Sequence, residues 1–182
     1  TPNGWTFVIP NQDSVSYGYL YNNNITKKED AIDDFMSRFN LDEITDSLNF
    51  DNYMAKNFYN GSRTILQGNM YGFIEPMEAT SVAFYQTICR ESWDFIFQLQ
   101  TPHDANNNIR TNMKQLENII LWHYQFGSKF DTPFWEYAKS LPFNPDDKFL
   151  EMISDEKNDP KQYGQWKKWN FDNWKNGVMI AK

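Results

Sequence analysis

The sequence predicts an α+β chain, β-rich in its first third and mainly helical after that. Aromatic and β-branched residues crowd two short runs near the start, residues 5–9 and 14–21, as they do in strands. Asn60-Gly61, a pair that tolerates positive φ at both positions, marks a hairpin inside a further strand-like stretch, residues 47–66. Beyond Ser81, apolar side chains recur three and four residues apart, which is helical spacing.

Taken in order, Trp5-Thr6-Phe7-Val8-Ile9 forms the first strand and Ser14 begins the second, with Pro10 and Asn11 between them. Asn22-Asn23-Asn24 closes that unit. Thr26-Lys27-Lys28-Glu29 then has the pattern of a capping box, in which the Thr26 hydroxyl accepts from the Glu29 amide and the Glu29 carboxylate reaches back. Behind it, Ile32, Phe35, Met36 and Phe39 fall on one helical face. After Ser81, the residues Val82, Tyr85, Cys89 and Ile96 share a face of one long helix. Ile109, Met113, Leu116, Ile120 and His123 share a face of a second. Asn106-Asn107-Asn108 marks a polar loop or the entry to that helix. Shorter helical stretches centre on Trp135 and on Phe149, Leu150 and Ile153. Two regions result, residues 1–80 with the strands and residues 81–182 with the helices.

Composition narrows the function. A net charge of −7 disfavours nucleic acid and anionic membranes, because phosphate binding relies on clustered Lys and Arg. The interleaved Trp and Lys of residues 161–175 imitate a single-strand platform, but the acidic total favours a packed amphipathic terminal helix. Cys89 is the only cysteine, so no internal disulfide can form and a reducing, cytoplasmic setting is expected. In that setting the glycosylation triplets at Asn24 and Asn60 are chance matches. No apolar run reaches membrane-spanning length. Two histidines with no cysteine or carboxylate cluster at ligand spacing predict no metal site. Aromatics reach 18% of the chain, enough for a large core, an aromatic-lined pocket, or both. The strand at Trp5, arriving with no initiating Met, suggests part of a longer polypeptide.

One segment carries candidate chemistry, Gly72-Phe73-Ile74-Glu75-Pro76-Met77-Glu78-Ala79-Thr80-Ser81. Pro76 pushes Glu75 out of the helical region, so the chain is extended or turning there. Thr80 or Ser81 is then the natural N-cap of the following helix. Three residues on from each stand Ala83 and Phe84, so neither completes a capping box. Amides of the first turn are left for an anion, helped by the positive end of the helix dipole. Glu78 stands beside these donors, either as a capping carboxylate or as a working acid or base. Gly68 and Gly72 give backbone freedom for close approach to a flat ligand.

Together, Gly68-x-x-x-Gly72 and the segment through Ser81 resemble a signature of flavin-dependent halogenases of the tryptophan-halogenase type. Two further stretches agree in order and spacing. Trp5-Thr6-Phe7-Val8-Ile9-Pro10 resembles the family's W-x-W-x-I-P motif, followed in step by Gln12 and by Gly18-Tyr19-Leu20-Tyr21. Leu121-Trp122-His123-Tyr124 and Asp131-Thr132-Pro133-Phe134-Trp135 resemble its L-x-H-Y and D-S-P-F-W stretches.

The resemblance implies an enzyme that uses reduced FAD, oxygen and halide to make hypohalous acid and halogenate an aromatic, tryptophan-, indole- or phenol-like substrate. It implies Glu78 as the catalytic carboxylate, Thr80 and the Ser81 amide as the halide site, and Gly72, Ala79 and Val82 beside the flavin. Reduced flavin would come from a separate reductase that docks transiently. The strands and hairpin of residues 1–80 would complete a flavin-monooxygenase-like sheet, and residues 81–182 would form the substrate side. Phe7 departs from the second Trp of its motif, Ser14 from a common Arg, Ala79 from a common Ser, and Ser81 from the Gly of tryptophan-specific members. The last change bears on halide choice. The family's G-x-G-x-x-G fingerprint and catalytic lysine have no counterpart here. The expectation is a C-terminal portion lacking its N-terminal dinucleotide-binding part, inactive alone. Two alternatives are a halide-independent flavin monooxygenase relative and a non-catalytic aromatic-rich binding module. His123 is expected in a core or pocket wall, and Cys89 in the core stripe.

Overall fold

A computed structural model describes residues 1–150 apart from 62 and 148, with Glu78 described by its backbone alone. Among the described residues all the strands lie before residue 74, with one helix between the two pairs, and the long helices follow, an α+β arrangement. Two compact units share the chain: Thr1–Leu48 with Leu121–Pro142, and Asn49–Ile120 with a stretch that starts at Phe143.

The first unit begins with a hairpin. Strand β1, Gly4–Pro10, pairs antiparallel with β2, Val15–Tyr21, in a register running from Gly4↔Tyr21 to Pro10↔Val15. The Asn11 amide donates to the Ser14 carbonyl at 2.8 Å and closes the turn between them. Phe7 faces Gly18 across the ladder, and its ring occupies the space a Cβ on Gly18 would need, 2.0 Å away. An aromatic ring here shields a glycine that could not itself pack.

Helix α1, Lys28–Phe39, lies against this hairpin through aromatic contacts. Tyr19 meets Phe35 with ring centroids 5.6 Å apart, and Tyr17 meets Phe39 at 4.8 Å. The Tyr19 hydroxyl donates to Asp34 Oδ2 at 2.7 Å. The capping box expected at Thr26 does not form. Lys27 is the N-cap and no side chain caps the helix. The Asn22 carbonyl takes the amides of both Ile25 and Thr26, so the chain is still turning at Thr26 and the helix starts one residue later. At the other end Asn40 is left-handed, φ 51°, and its amide and that of Leu41 both return to the Met36 carbonyl. Asn is among the few residues that tolerate this closure.

The last residues of α3 (Pro102–Phe126) and helix α4, Pro133–Ser140, complete the first unit. Tyr124 meets Phe134 and Trp135 edge-on at 6.1 and 6.0 Å. The Trp135 indole N–H donates to the Thr1 carbonyl at 2.7 Å, and the Thr132 hydroxyl donates to the Pro2 carbonyl. That bond takes Thr132 away from capping α4, which opens on Pro133 with no side-chain cap.

The second unit holds little sheet. The strand-like pattern of residues 47–66 yields, among the described residues, only Tyr53–Met54 (β3) and a single bridge, Tyr59↔Ile65. β3 pairs with Gly72–Phe73 (β4), and residues 47–52 are exposed with no strand assigned beside them. A strand-like pattern needs a neighbour to bond with, and these residues find none among those described. The turn at Asn60-Gly61 does form. Gly61 is left-handed and the Asn60 amide reaches the Thr64 carbonyl at 3.1 Å.

Helix α2, Thr80–Ile96, turns Phe84 and Ile88 inward, together with Thr80, Thr87, Glu91 and Ser92. The stripe expected to be its core face points the other way, with Val82, Cys89 and Ile96 all exposed. The Thr87 hydroxyl donates to the Ala83 carbonyl of its own helix at 3.2 Å, and Ser92 and Glu91 are satisfied from elsewhere in the unit. Gln67 Nε2 donates to Ser92 Oγ at 2.6 Å. Glu91 receives Asn108 Nδ2 at 2.8 Å and Gln100 Nε2 at 2.9 Å on one oxygen, and Arg90 at 2.7 Å on the other. Burial alone would raise the Glu91 carboxyl, but the hydrogen bonds from Asn108, Gln100 and Arg90 hold it below its usual range.

The start of helix α3 is capped by Thr101: the Asp104 amide donates to the Thr101 hydroxyl, which in turn donates to the Asp104 carboxylate at 2.7 Å. Asn106-Asn107-Asn108 therefore lies inside the helix, not before it. Asn106 accepts the Phe58 amide at 3.0 Å and donates to Asn57 at 2.8 Å. Ile109, Met113, Leu116 and Ile120 are buried as the spacing predicts, with Ala105 one turn before them, while His123 at the end of the same stripe is half-buried. Phe149 is buried as well, its amide bonded to Asp146 Oδ1. Ile153 and the Trp- and Lys-rich segment 161–175 lie outside the described residues. Among the described residues no helix is long and apolar enough to cross a membrane.

Candidate functional site

The segment from Gly72 to Val82 lies wholly in the second unit, between β4 and the first turn of α2. It is anchored from below. Tyr71 and Ile74 are fully buried, as is Phe84 on the helix, and the Tyr71 and Phe84 rings sit 6.1 Å apart. The Ala55 amide bonds the Tyr71 carbonyl at 2.6 Å, and the Glu75 amide donates to Asn52 Oδ1 at 2.8 Å. Burial holds the Tyr71 phenol above its ordinary range, offset in part by Arg110. Its hydroxyl meets no hydrogen-bond partner among the described residues.

Gly72 owes its lack of a side chain to the protein's own packing. A Cβ there would come within 2.9 Å of the Tyr53 carbonyl and 3.1 Å of the Phe84 ring. Gly68 instead needs its flexibility, with φ +53° at the entry to a single 3-10 turn, Gly68–Met70.

Past Pro76 the backbone makes one tight turn, Met77–Ala79, which contains Glu78. Ala79 then takes a left-handed conformation, φ 55° and ψ 30°, and is the N-cap of α2. Neither Thr80 nor Ser81 caps the helix, contrary to expectation. The Thr80 hydroxyl donates backward to the Glu75 carbonyl at 3.0 Å, and the Thr80 amide bonds the Met77 carbonyl. Ala79 offers no side-chain cap, so the next amides of the first turn of α2 have no side-chain partner among the described side chains. A left-handed residue flanked by right-handed ones also turns successive amides toward one side, the concavity that suits an anion. An Ala with positive φ costs on the order of 1 kcal/mol or more, and such strain concentrates at working sites.

Glu78, Ala79, Thr80, Ser81 and Val82 are thus consecutive around the start of one helix. Thr80 is buried, Ser81 half-buried, and Ala79 and Val82 exposed. Gly72 is on the adjoining strand. Nothing in the residue types alone marks Ala79 as left-handed or Asn52 as the tether of Glu75. His123 is half-buried near the end of α3, in the first unit.

A β-hairpin, short sheet and long helices in this order, with this segment at the head of α2, define one class of protein. All of residues 1–182 match the family model for tryptophan halogenase, and the chain belongs to that family. Among its relatives, tryptophan 7-halogenase RebH of Lentzea aerocolonigenes is 27% identical over 149 residues, which cover 76% of this chain and 27% of RebH. Tryptophan 6-halogenase ThaL of Streptomyces albogriseolus is 23% identical over 144 residues, 76% of this chain and 27% of ThaL. The chain thus spans a little over a quarter of the length of these relatives. Solved structures share the fold. The tryptophan 6-halogenase SttH from Streptomyces toxytricini superposes with a TM-score of 0.70 at 18% identity, over 98% of this chain and 37% of SttH. BrvH, a flavin-dependent halogenase from Brevundimonas sp. BAL3, gives 0.65 at 18%, over 85% of this chain and 32% of BrvH.

Proposed function

We propose that this chain is the C-terminal portion of a flavin-dependent halogenase that acts on an electron-rich aromatic substrate. One observation carries the reading: in a member of this family, Glu78 immediately precedes a left-handed, uncapped helix start at Ala79 to Ser81. The free amides of that first turn and the helix dipole give a halide its binding site, with the Ser81 amide as principal donor and Thr80 forming the wall. Ala79 and Val82, both exposed, leave room for the edge of a flat cofactor there. Bound reduced FAD, supplied by a reductase, would provide with oxygen the oxidising equivalent that turns halide into hypohalous acid. Residues 1–80 supply the last strands of the flavin-side sheet and residues 81–182 the substrate side.

Glu78 holds the electrophilic halogen source in line with the aromatic carbon. It then accepts the proton that this carbon releases when its hydrogen is replaced by halogen. The flavin's phosphate anchor and the catalytic lysine lie in the N-terminal part of the polypeptide. This chain supplied with FAD and a reductase is therefore inactive. In the complete enzyme, Glu78→Gln should abolish halogenated product while flavin oxidation continues at its normal rate. An unchanged product yield would remove Glu78 from the mechanism. Thr80 has both its amide and its hydroxyl engaged, which favours a halide-independent monooxygenase as the second reading. Bromide that leaves flavin kinetics and product unchanged would select it.

A further inference from the structure

Helix α2 carries two faces that both resemble cores, and one of them is open. Phe84, Ile88 and Glu91 point inward. Val82, Gln86, Cys89, Trp93, Ile96 and Phe97 recur at helical spacing on the opposite side and are exposed. Trp93 is 62% exposed and Phe97 56%, their rings in contact at a tilt of 36° with centroids 4.5 Å apart. None of the six is charged. A helix that is apolar on opposite sides belongs between two layers, and here one layer is missing among the described residues.

We propose that this stripe is the seat of the N-terminal, flavin-carrying part of the tryptophan-halogenase polypeptide, an inference that rests on the reading of the α2 start as the flavin and halide site. Three observations choose this occupant. The stripe begins at Val82, beside the proposed halide donors, and runs about 22 Å along the helix at 1.5 Å per residue. Whatever brings flavin to the head of α2 must lie alongside it. The chain spans only 27% of RebH, so a large body of polypeptide is available to cover the face. The stripe's uncharged, aromatic character matches an obligate interface, one formed within a single folding unit, and not a transient polar contact.

Cys89, the only cysteine in the chain, sits midway along the stripe and is exposed, so its alkylation reports whether the face is covered. Maleimide labelling at Cys89, read by peptide mass mapping, is compared between this chain and the complete enzyme, each with and without FAD. The expected result is rapid labelling in the chain at every protein concentration. In the complete enzyme, labelling should be about tenfold slower or more, as for a face open less than a tenth of the time. Trp93→Ser should speed labelling in the complete enzyme and leave it unchanged in the chain alone. Equal rates in the two proteins overturn the proposal. So does slow labelling in the chain alone, which would assign the face to residues 151–182, or slowing that grows with chain concentration, which would assign it to a second copy. Product analysis on the same samples separates the two claims. Protection of Cys89 without any halogenation leaves the seat standing and removes the halogenase reading. Halogenation without protection does the reverse.

Discussion

Replacing Glu91 with glutamine tests whether a buried charge organises the second unit. The wild-type carboxylate is 3% exposed, and its Oε2 accepts Asn108 at 2.8 Å and Gln100 at 2.9 Å. A hydrogen bond to a charged group contributes about 1.5–3 kcal/mol and a neutral one about 0.5–1.5, so neutralising the acceptor weakens each bond by about 1 kcal/mol. Two such bonds give a cost of about 2 kcal/mol. The pair with Arg90 adds little, because the Arg90 side chain is 61% exposed and screened by solvent. Glu91→Ala should cost about 4 kcal/mol, since both amides lose their acceptor and a cavity opens. Urea unfolding followed by far-ultraviolet circular dichroism measures both. With the slope expected for a chain of this size, Glu91→Gln should lower the midpoint by roughly 1 M. The pH dependence follows from the sign of the shift. The folded carboxyl lies below its unfolded value of 4.5, so its stabilisation is complete above that pH and is lost as pH falls through the lower folded value. The gap between wild type and Glu91→Gln should stay constant from about pH 7 to pH 5 and close only in stronger acid. A gap under about 0.5 kcal/mol, or one that closes as pH rises, would refute the assignment.

Two further expectations concern one position in each unit. Gly72→Ala sets a Cβ 2.9 Å from the Tyr53 carbonyl and should lower stability by about 1–3 kcal/mol, seen as a drop in Tm, because backbone must move to relieve it. Burial, with the Asp34 contact adding to it and the bond from Thr1 opposing it, pushes the Tyr19 phenol up to about 12. Its neutral form therefore stabilises the folded chain below the ordinary tyrosine value, and that contribution is lost as pH rises from about 10 toward 12, checked by comparing alkaline unfolding of wild type with Tyr19→Phe.

Much of the fold could be read from local pattern. The β1–β2 hairpin, α1 and the buried face of α3 follow from residue type and spacing, because their pattern and partners lie close in sequence. The failures share a cause. α2 was assigned the wrong core face because its inward side carries Thr80, Thr87, Glu91 and Ser92. Those groups are tolerable inside only because Gln67, Gln100 and Asn108 meet two of them, and periodicity cannot see partners. The strand-like stretch 47–66 likewise depended on a neighbour outside its own pattern. At the candidate site the turn at Pro76 and the lack of a capping box were legible, but the N-cap expected at Thr80 or Ser81 falls on Ala79 instead. The left-handed Ala79 was not, since alanine gives no sign of positive φ, and neither was the use of Gly72 by the Tyr53 carbonyl.

The three asparagines of α3 bear on the order in which the helix assembles. Asn is a poor helix former, so the turns around 106–108 gain little from the backbone alone. Their stability comes from side-chain bonds, one of which joins Asn106 to Phe58 across 48 residues of chain. Closing so long a loop precedes any gain from the bond. The stretch from Ile109 onward can form as an amphipathic helix before that loop closes. The start of α3, held locally by the Thr101–Asp104 contacts, gains its long-range support only when the 57–58 segment arrives, after the stretch from Ile109 onward can form.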